Sequence, residues 1–533
     1  MSHHTATIWV ETDRPCEVRV VNRDHGVDAG ARTFTAHGHH YALVEIEGLA
    51  PGARIPYEVV ADGETVWPEE GAEGAQLPPS QIRTLDPDGE LRISFGSCRR
   101  SPGTVEQFGH DALAALARRL SSGGDAVTWP DILLMVGDQV YADELSDAMR
   151  EFISGRRAPG DPPADEAADF EDYTHLYKLA WHDDPEVRWL LSTVPTFTIF
   201  DDHDIRDDWN TSYAWRQEMW SQPWWKNRIT GGIGSYWIYQ HLGNISPEDR
   251  ASDPVYKAVR TASDDTGDAG TVLDEFAEKA DKEPASTRWS YAHDWGATRL
   301  IVVDSRCSRL LTADRRGMLD DDEFRWLDEQ CQGGMDHLLI ASSLPYLLPM
   351  AIHHAESWNE AMAGGAWGKA GGRLGEKIRQ AADLEHWAAF ERSFRDVAAD
   401  VVAVGRGERG PAPASISFLS GDIHYSYLAR VTEPGTQSKI SQIVCSPLRN
   451  PLIGKFRWAN RIACSRASGG PFRALAKLSK VPVPPLRWRM TEGPWFDNAI
   501  ATVHLSGRKC EVRWETPRDG GTLNEMGRAD ITG

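Results

Sequence analysis

Residues 6–85 alternate apolar and polar positions in short runs that turn sequences separate. Such runs lie at 6–10, 41–46 and 57–60, and Pro51-Gly52 and Asp62-Gly63 interrupt them. Alternation with a period of two places one face of each strand in a core and the other in solvent. Short half-buried strands at regular spacing predict a small all-β sandwich of the immunoglobulin or fibronectin type III kind over residues 1–88.

From residue 91 the pattern changes to longer apolar runs interleaved with helical periodicity. Apolar runs bounded by Gly or Asp occur at 93–98, 132–141, 197–204 and 416–424, and each ends in polar residues. Runs of this kind predict strands that are buried on both faces. Apolar residues at helical spacing over 110–120 and 384–397 predict helices. We therefore predict an α/β domain over residues 91–515 and a C-terminal tail over 516–533.

The polar residues that end these four runs are of types that bind metal ions. In α/β architectures, sites collect at the carboxyl ends of strands. Taken singly, Asp138 could be a helix cap, and Cys98 or Tyr141 could be a packed core residue. Their joint occurrence favours a metal site instead. The candidate ligands are Cys98, Asp138, Tyr141, the acids and histidine of residues 201–204, Asp422 and His424.

The chemical types of these residues also restrict the metal. A carboxylate such as that of Asp138 has two oxygens and can bridge two cations about 3.5–4 Å apart, as in two-metal hydrolases. Thiolate and phenolate donors from Cys98 and Tyr141 favour a transition metal over calcium or magnesium, which prefer hard oxygen donors. The sequence thus predicts a centre of two cations that includes a transition metal.

Together these motifs resemble the PhoD-like alkaline phosphatases and phosphodiesterases, a branch of the calcineurin-like metallophosphoesterase superfamily. The motifs occur in the family's order as Gly-Ser-Cys98, Gly-Asp138-x-x-Tyr141-x-Asp143, Asp201-Asp202-His203-Asp204 and Gly-Asp422-x-His424. Asp202 and Asp422 stand where the wider superfamily has Asn and His, and both departures are typical of this branch. The resemblance covers residues 1–510. It implies a four-layer metallophosphoesterase-type β-sandwich flanked by helices, preceded by the small all-β domain.

The resemblance implies Fe³⁺ and Ca²⁺ as cofactors, with another divalent cation as an alternative at the second position. On this interpretation the iron ligands are Cys98, Asp138, Tyr141 and His424. The ligands of the second cation are Asp138, Asp202 and Asp422.

The same resemblance assigns catalytic roles. A hydroxide that bridges the metals would attack phosphorus, with Asp138 holding both cations. His203 would stabilise or protonate the leaving oxygen. Candidates for neutralising the phosphate oxygens are Arg206, Arg306 and Arg449. The same arginines, taken singly, also fit surface or structural roles.

The predicted function is therefore metal-dependent hydrolysis of small phosphate esters, whether monoesters, diesters or both. An alternative is a non-catalytic protein that recruits a partner through its β-sandwich and uses the metals as a structural staple. Structural metal sites are closed, and they rarely include a bridging carboxylate with an additional histidine beside it. Asp138 and His203 therefore favour the enzyme.

The composition restricts which partners the protein is expected to bind and in which cellular compartment it is expected to occur. The net charge of −22 argues against specific nucleic-acid binding, which needs a basic surface. No apolar run has the length of a transmembrane segment. The N-terminus lacks the features of a signal peptide, and the seven scattered cysteines do not form a disulfide framework. We therefore expect a cytoplasmic protein with reduced thiols.

Two segments each have two interpretations. Residues 434–491 contain eleven Lys or Arg and no acidic residue. They either balance the acidic body or attract phosphate esters or an anionic surface, with peripheral membrane contact the less favoured alternative. Residues 209–239 contain six Trp, which either fill the core or form a wall of the substrate cleft.

Overall fold

The computed structural model of the chain describes residues 1–69, 77–123, 127–158, 160–432, 435–452, 454–464 and 468–533. The chain begins with nine short strands: β1 (Ala6–Thr12), β2 (Glu17–Asn22), β3 (Val27–Arg32), β4 (Phe34–Ala36), β5 (His39–Ile46), β6 (Arg54–Pro56), β7 (Glu58–Ala61), β8 (Glu64–Trp67) and β9 (Gln81–Arg83). They form the antiparallel sheets β1-β5-β4, β3-β2-β7-β8 and β6-β9. Val18, Val20 and Val44 fill their shared core. The prediction of an all-β N-terminal region is confirmed, whereas the division at residue 88 remains a prediction.

The rest of the described chain combines strands and helices. The strands are β10 (Leu91–Gly96), β11 (Ile132–Val136), β12 (Thr196–Ile199), β13 (Tyr291–Trp295), β14 (Thr298–Val303), β15 (Leu310–Leu311), β16 (Arg316–Gly317), β17 (His337–Ser342), β18 (Ser415–Ser420), β19 (Ser426–Val431), β20 (Lys439–Val444), β21 (Trp488–Trp495), β22 (Ile500–Ser506), β23 (Lys509–Pro517) and β24 (Leu523–Asp530). The helices are α1 (Val105–Phe108), α2 (Ala112–Ser122), α3 (Asp147–Ser154), α4 (Phe170–Tyr177), α5 (Pro185–Leu191), α6 (Tyr213–Trp220), α7 (Trp225–Tyr236), α8 (Leu242–Asn244), α9 (Pro247–Ser252), α10 (Pro254–Thr266), α11 (Gly270–Lys282), α12 (Asp321–Gln330), α13 (Met350–Ala361), α14 (Gly368–Ala381), α15 (Glu391–Arg406), α16 (Gly454–Ala463) and α17 (Gly469–Leu478). The mixed α/β class predicted from the sequence is confirmed.

Two large sheets contain the four strands that carry the candidate ligands. One has the order β12-β11-β10-β22-β23-β24 and the other the order β13-β14-β17-β18-β20-β19-β21. Strands β10, β11 and β12 are mutually parallel, as are β14, β17, β18 and β20. The carboxyl ends of the parallel strands therefore lie at one edge of each sheet.

Strand β11 shows why the predicted runs are apolar throughout. All five of its residues are buried. Because successive side chains point to opposite faces, Leu134 and Val136 pack between the two sheets, whereas Leu133 and Met135 pack against helices α2 and α5. Strand β17 divides in the same way between the second sheet's two faces. Because β11 is covered on both sides, it has no solvent face, and the polar residues of this run follow the strand.

Two of the sequence predictions need correction. Residues 516–533 are not a tail, because β24 pairs with β23 and Ile531 is fully buried in the core between the sheets. The sequence of β24 is mostly polar, as fits an edge strand, and gives little periodic signal. The helix predicted over 384–397 begins only at Glu391, because Trp387 and Phe390 turn into the core ahead of it.

The tryptophans of residues 209–239 belong mainly to the core. Trp209, Trp215, Trp225 and Trp237 are buried in a cluster that also contains Tyr41 of the N-terminal sheet. Trp220 is more exposed, and its indole N–H donates to Asp281 at 2.8 Å. The N-terminal β-structure is therefore fixed to the helices of this segment by a shared apolar core.

His39 adds a charged contact to the same interface. Its Nδ1 lies 3.1 Å from Glu11 and its Nε2 lies 2.8 Å from Glu171 of α4. Both ring nitrogens must be protonated to donate to two carboxylates, so the contact stabilises the imidazolium. Hydrogen bonding to Glu11, opposed by burial and assisted by Glu171, raises the pKa of His39 from 6.5 to about 9.

We predict that His39→Gln destabilises the protein by about 1–2 kcal/mol below pH 6.5, a range reduced for solvent screening. Because the folded-state pKa is raised, this contribution is complete below pH 6.5 and is lost as the pH rises through about 9. Denaturant unfolding from pH 6 to pH 10 should show the two free energies of unfolding converging. His25→Gln, at an exposed turn, is the control and should show no such convergence. A difference that stays constant with pH would contradict the assignment.

Candidate metal centre

Loops after four strands bring the candidate ligands together. Cys98 follows β10, Asp138 follows β11, Asp201 and Asp202 follow β12, and Asp422 and His424 follow β18. Hydrogen bonds join the loops to one another. The backbone N–H of Cys98 donates to the Gly137 carbonyl at 3.3 Å, and that of Asp422 donates to Ser97 Oγ at 2.9 Å. The second bond joins the two large sheets directly at the site.

The backbone at this site is strained. Cys98, Asp138, Asp422 and His424 have φ values of 56°, 51°, 62° and 57°, a left-handed region that costs non-glycine residues roughly 1–2 kcal/mol each. Gly137 has φ 102°, and a Cβ there would lie 2.7 Å from Cβ of Asp201. Such strain persists only where the surroundings fix it, and it turns each side chain from its strand end toward the others.

Two groups of donor atoms result, and they share Asp138. Ligand atoms of Cys98, Asp138 and His424 lie within 4.8 Å of one another, and so do those of Asp138, Asp201 and Asp202. Within the described part of the chain, Asp138 Oδ1 and Asp201 Oδ2 are buried and accept no hydrogen bond, whereas Asp202 Oδ1 forms an ion pair with Arg306 at 3.1 Å. Buried carboxylate oxygens without partners are costly in a folded protein. These donors therefore fit cations at both groups.

Tyr141 lies beside the first group. Its hydroxyl is 3.4 Å from Asp138 Oδ2 and accepts a hydrogen bond from Asn450 Nδ2 at 3.0 Å. Burial, and then the charge of Asp138, raises the pKa values of Tyr141 and Cys98 well above their usual ranges. Both groups are therefore neutral in the protein alone, and only a bound cation would make them anionic ligands.

Asp204 holds two of the ligand loops together. Its buried carboxylate accepts backbone N–H bonds from Asp201 at 2.9 Å, Asp138 at 3.0 Å, Gln139 at 3.0 Å and Val140 at 3.1 Å. Burial raises the pKa of Asp204 to about 7, although these four bonds oppose the shift. Asp204 therefore supports the loops through its hydrogen bonds, and its own oxygens are already occupied.

Asp422 is held at the edge of the site by a histidine and an arginine. Its Oδ2 lies 2.8 Å from His386 Nε2, and His386 Nδ1 lies 2.7 Å from the buried Glu356. Arg306, which is fully buried, approaches Asp422 at 4.0 Å. Asp422 belongs to neither donor group, so its place as a ligand remains a prediction.

His203 is only partly buried. Its Nδ1 is 2.9 Å from Asp143, and its ring packs 4.7 Å from that of Tyr141. Burial lowers the pKa of His203, but the charge and hydrogen bond of Asp143 outweigh it and raise the pKa well above its usual range. The ring is therefore held in one orientation with a proton available at Nε2.

The three predicted arginines all have carboxylate neighbours. Arg306 lies between Asp201 at 2.5 Å, Glu385 at 2.6 Å and Asp202 at 3.1 Å. Arg206 pairs with Glu166 at 3.1 Å, and Arg449 lies 3.8 Å from Asp111. Among the described side chains of these three residues, only the guanidinium of Arg306 pairs with candidate ligand carboxylates, and it compensates their charge. Substrate binding by any of them remains a prediction.

Sequence reasoning missed several residues that surround the ligands. Arg100 lies with its guanidinium 5.8 Å from the centre of the Tyr141 ring, and it follows Cys98 by only two residues, a proximity that could have indicated it. Asp143 is the last residue of the motif that contains Asp138 and Tyr141, but its contact with His203 was not predicted. His386 and Asn450 belong to no strand-end motif, so the sequence contains no signal for them.

Comparison with known proteins supports the family resemblance. Residues 106–261 match the family described as PhoD-like phosphatase, and residues 1–82 match a family described as a domain of unknown function. The PhoD-like match includes Asp138, Tyr141 and residues 201–204. No curated protein matches the chain. The resemblance to PhoD-like phosphatases that the motifs predicted is confirmed.

Two of the solved structures that match this chain are those of PhoD and of a purple acid phosphatase. The structure of PhoD has a TM-score of 0.56 at 11% identity, over 99% of this chain and 86% of that chain. Purple acid phosphatase PPD1 from yellow lupin (Lupinus luteus) seeds has a TM-score of 0.48 at 9% identity, over 98% of this chain and 72% of that chain. The likeness to PhoD shows a shared fold.

We predict that Asp204→Asn destabilises the protein by about 3 kcal/mol or more, because the amide can accept only two of the four N–H bonds and presents its NH₂ to the others. Denaturant unfolding measures this loss. Asp253→Asn is the control, since Asp253 accepts one N–H bond at the start of α10, and it should cost less than about 1 kcal/mol. Equal effects of the two substitutions would contradict the role given to Asp204.

Proposed function

Given the match of residues 106–261 to the PhoD-like phosphatases, we propose that this chain is a metal-dependent hydrolase of phosphate esters. The observation that carries the proposal is the pair of donor groups that share Asp138 and contain carboxylate oxygens without hydrogen-bond partners. A carboxylate between two such groups is suited to bridging two cations.

The donor types suggest which cation each group would hold. Cys98, Asp138 and His424, with Tyr141 beside them, suit a transition metal such as Fe³⁺. Asp138, Asp201 and Asp202, with Asp422 nearby, suit a hard cation such as Ca²⁺ or another divalent ion. When bound, two cations would supply Lewis acidity and lower the pKa of water at the site. Of the acids at residues 201–204, the resemblance implied only Asp202 as a ligand, and the geometry adds Asp201.

His203 is the proposed general acid. Asp143 accepts from Nδ1–H and leaves Nε2–H directed away from that bond, so the proton is held where a leaving oxygen could receive it. The side chain is buried apart from 18% of its surface, which keeps one ring edge open to a substrate.

Arg100 is a further candidate for contacting substrate phosphate. It lies beside Tyr141, retains 24% of its side-chain exposure and pairs with Glu144 at 2.5 Å. A partly exposed guanidinium can exchange such a surface carboxylate for a phosphate oxygen at small cost. Arg306 is fully buried among carboxylates and has no comparable freedom.

The proposal includes the finer architecture expected from the family. A four-layer sandwich is supported by one apolar cluster between the two large sheets and by further clusters between each sheet and its helices. The non-catalytic alternative has less support, because an unpartnered carboxylate pair beside a partly exposed histidine is unlike a closed structural site.

We predict that Asp138→Asn lowers bound metal and decreases turnover by more than about a hundredfold, beyond the losses that follow changes around metal ligands. A neutral amide cannot bridge two cations as a carboxylate does. Metal analysis and hydrolysis of p-nitrophenyl phosphate and bis(p-nitrophenyl) phosphate measure both effects and separate monoester from diester cleavage. Asp147→Asn, whose side chain is 95% exposed, is the control. Activity within about tenfold of the native chain would overturn the bridging role.

Tyr141→Phe tests the identity of the first cation independently of activity. If it is ferric iron held with phenolate and thiolate beside it, the native protein is coloured and the substitution shifts or removes the visible charge-transfer band. Circular dichroism should show an unchanged fold. Absorption spectra of both proteins, with metal content, are the measurement. A colourless active protein that contains only zinc or magnesium would exclude iron.

A further inference from the structure

Helices α16 and α17, with the segment that follows them to residue 483, form an exposed surface that we call the basic apolar surface. Six large apolar side chains are exposed there: Phe456, Trp458, Ile462, Phe472, Leu478 and Val483. Trp458, Leu478 and Val483 are 69%, 73% and 74% exposed. Twelve large apolar residues are exposed in the described part of the chain, and half of them lie between Phe456 and Val483. Such a concentration is unusual for a surface that faces only water.

The same surface is strongly cationic. Lys455, Arg461, Arg473, Lys477 and Lys480 are exposed on it, and residues 434–491 contain no acid. Among the described residues, α16 and α17 form one ion pair, between Arg457 and Asp497 at 3.9 Å. Elsewhere in this acidic protein the arginines usually lie beside carboxylates, as Arg379 does with Glu360 at 2.7 Å. The charges of this surface therefore remain available to an anionic partner.

Contacts beneath the surface fix its orientation. Both helices lie against α13, and the buried side chains Ala476 and Leu486 face inward. Arg457 donates to the Phe496 carbonyl at 2.8 Å, and the Trp488 indole donates to the Leu348 carbonyl at 2.8 Å. These buried groups already join the segment to the rest of the protein. The exposed apolar residues are therefore not needed to pack the segment against the core.

We propose that the basic apolar surface docks the protein on the face of an anionic lipid bilayer. Basic side chains attract anionic headgroups, while aromatic and aliphatic side chains enter the boundary between headgroups and acyl chains. A single-stranded nucleic acid fits less well, because Ile462, Leu478 and Val483 offer neither stacking faces nor hydrogen bonds to bases. The contact we propose is peripheral, at the membrane surface. Among the helices of the described residues, none has the length and hydropathy of a transmembrane span.

Co-sedimentation of the full chain with lipid vesicles tests the proposal. We expect binding to vesicles in which phosphatidylglycerol replaces part of the phosphatidylcholine. Binding to pure phosphatidylcholine should be much weaker, and anionic binding should decrease as salt rises from about 0.1 M to 1 M. Trp458→Ser and Leu478→Ser should each weaken binding on the order of tenfold. Arg473→Gln, Lys477→Gln and Lys480→Gln combined should weaken it roughly a hundredfold.

Helix α14 provides matched controls, since it exposes similar residues and also carries Glu376. The combined variant Lys369→Gln, Arg373→Gln and Lys377→Gln removes the same number of charges, and Leu374→Ser removes a side chain that is 53% exposed. Neither should change vesicle binding. Thermal unfolding of each variant verifies its fold.

Several outcomes would overturn the proposal. They are absence of binding to anionic vesicles, equal binding to neutral vesicles, and equal losses in the α14 controls. Binding that survives Trp458→Ser and Leu478→Ser would leave a purely electrostatic contact and would also overturn it. Tighter binding to a single-stranded oligonucleotide than to vesicles, dependent on Trp458, would assign the surface to nucleic acid instead.

Discussion

The packing of many carboxylates at the adjoining edges of two sheets is the constraint on which the site depends. Asp138, Asp201 and Asp202 are buried within reach of one another, and burial together with neighbouring carboxylates raises the pKa of Asp138 well above its usual range. Arg306 supplies one fixed positive charge to this cluster. One guanidinium also serves Glu385, so it does not balance the carboxylates fully. Cations at the two donor groups would supply the remaining charge and use the unpartnered oxygens.

Bringing these side chains together requires strained backbone conformations. Four of the candidate ligands, Cys98, Asp138, Asp422 and His424, adopt left-handed conformations that residues other than glycine disfavour. The loops that contain them are separated by more than three hundred residues along the chain, from Cys98 to Asp422, and are joined by the bond from Asp422 N–H to Ser97 Oγ. The rigid sheets and the buried carboxylate of Asp204 therefore hold a geometry that no single loop would adopt alone.

The difference between local patterns and contacts of distant segments explains which features the sequence could predict. The ligand-bearing strands were predictable because burial on both faces leaves a local record, an apolar run with polar residues at its end, as in Ile132–Val136 before Asp138. His386, Asn450 and the charge partners of Arg306 were not, because they reach the site through contacts between distant segments. Strand β24 was missed for a related reason, since an edge strand buries few of its side chains and its polar sequence resembles a tail.

The two ends of the chain also differ in how they meet their surroundings. The N-terminal sheets bury Phe34 and Tyr41 in the core of the tryptophan-rich helices and add the His39 contacts, so this module is a support whose packed face is not available to a partner. The helices after the loop of Asp422 and His424 do the opposite, since they are joined to the body by buried contacts and leave apolar and basic side chains exposed.

In a chain of net charge −22, a segment without acids opposes the general repulsion of anions. Asn450, which contacts Tyr141, lies four residues before α16. The basic apolar surface therefore begins a few residues along the chain from the carboxylate-rich site. Without it, the negative charge of the protein would repel an anionic substrate.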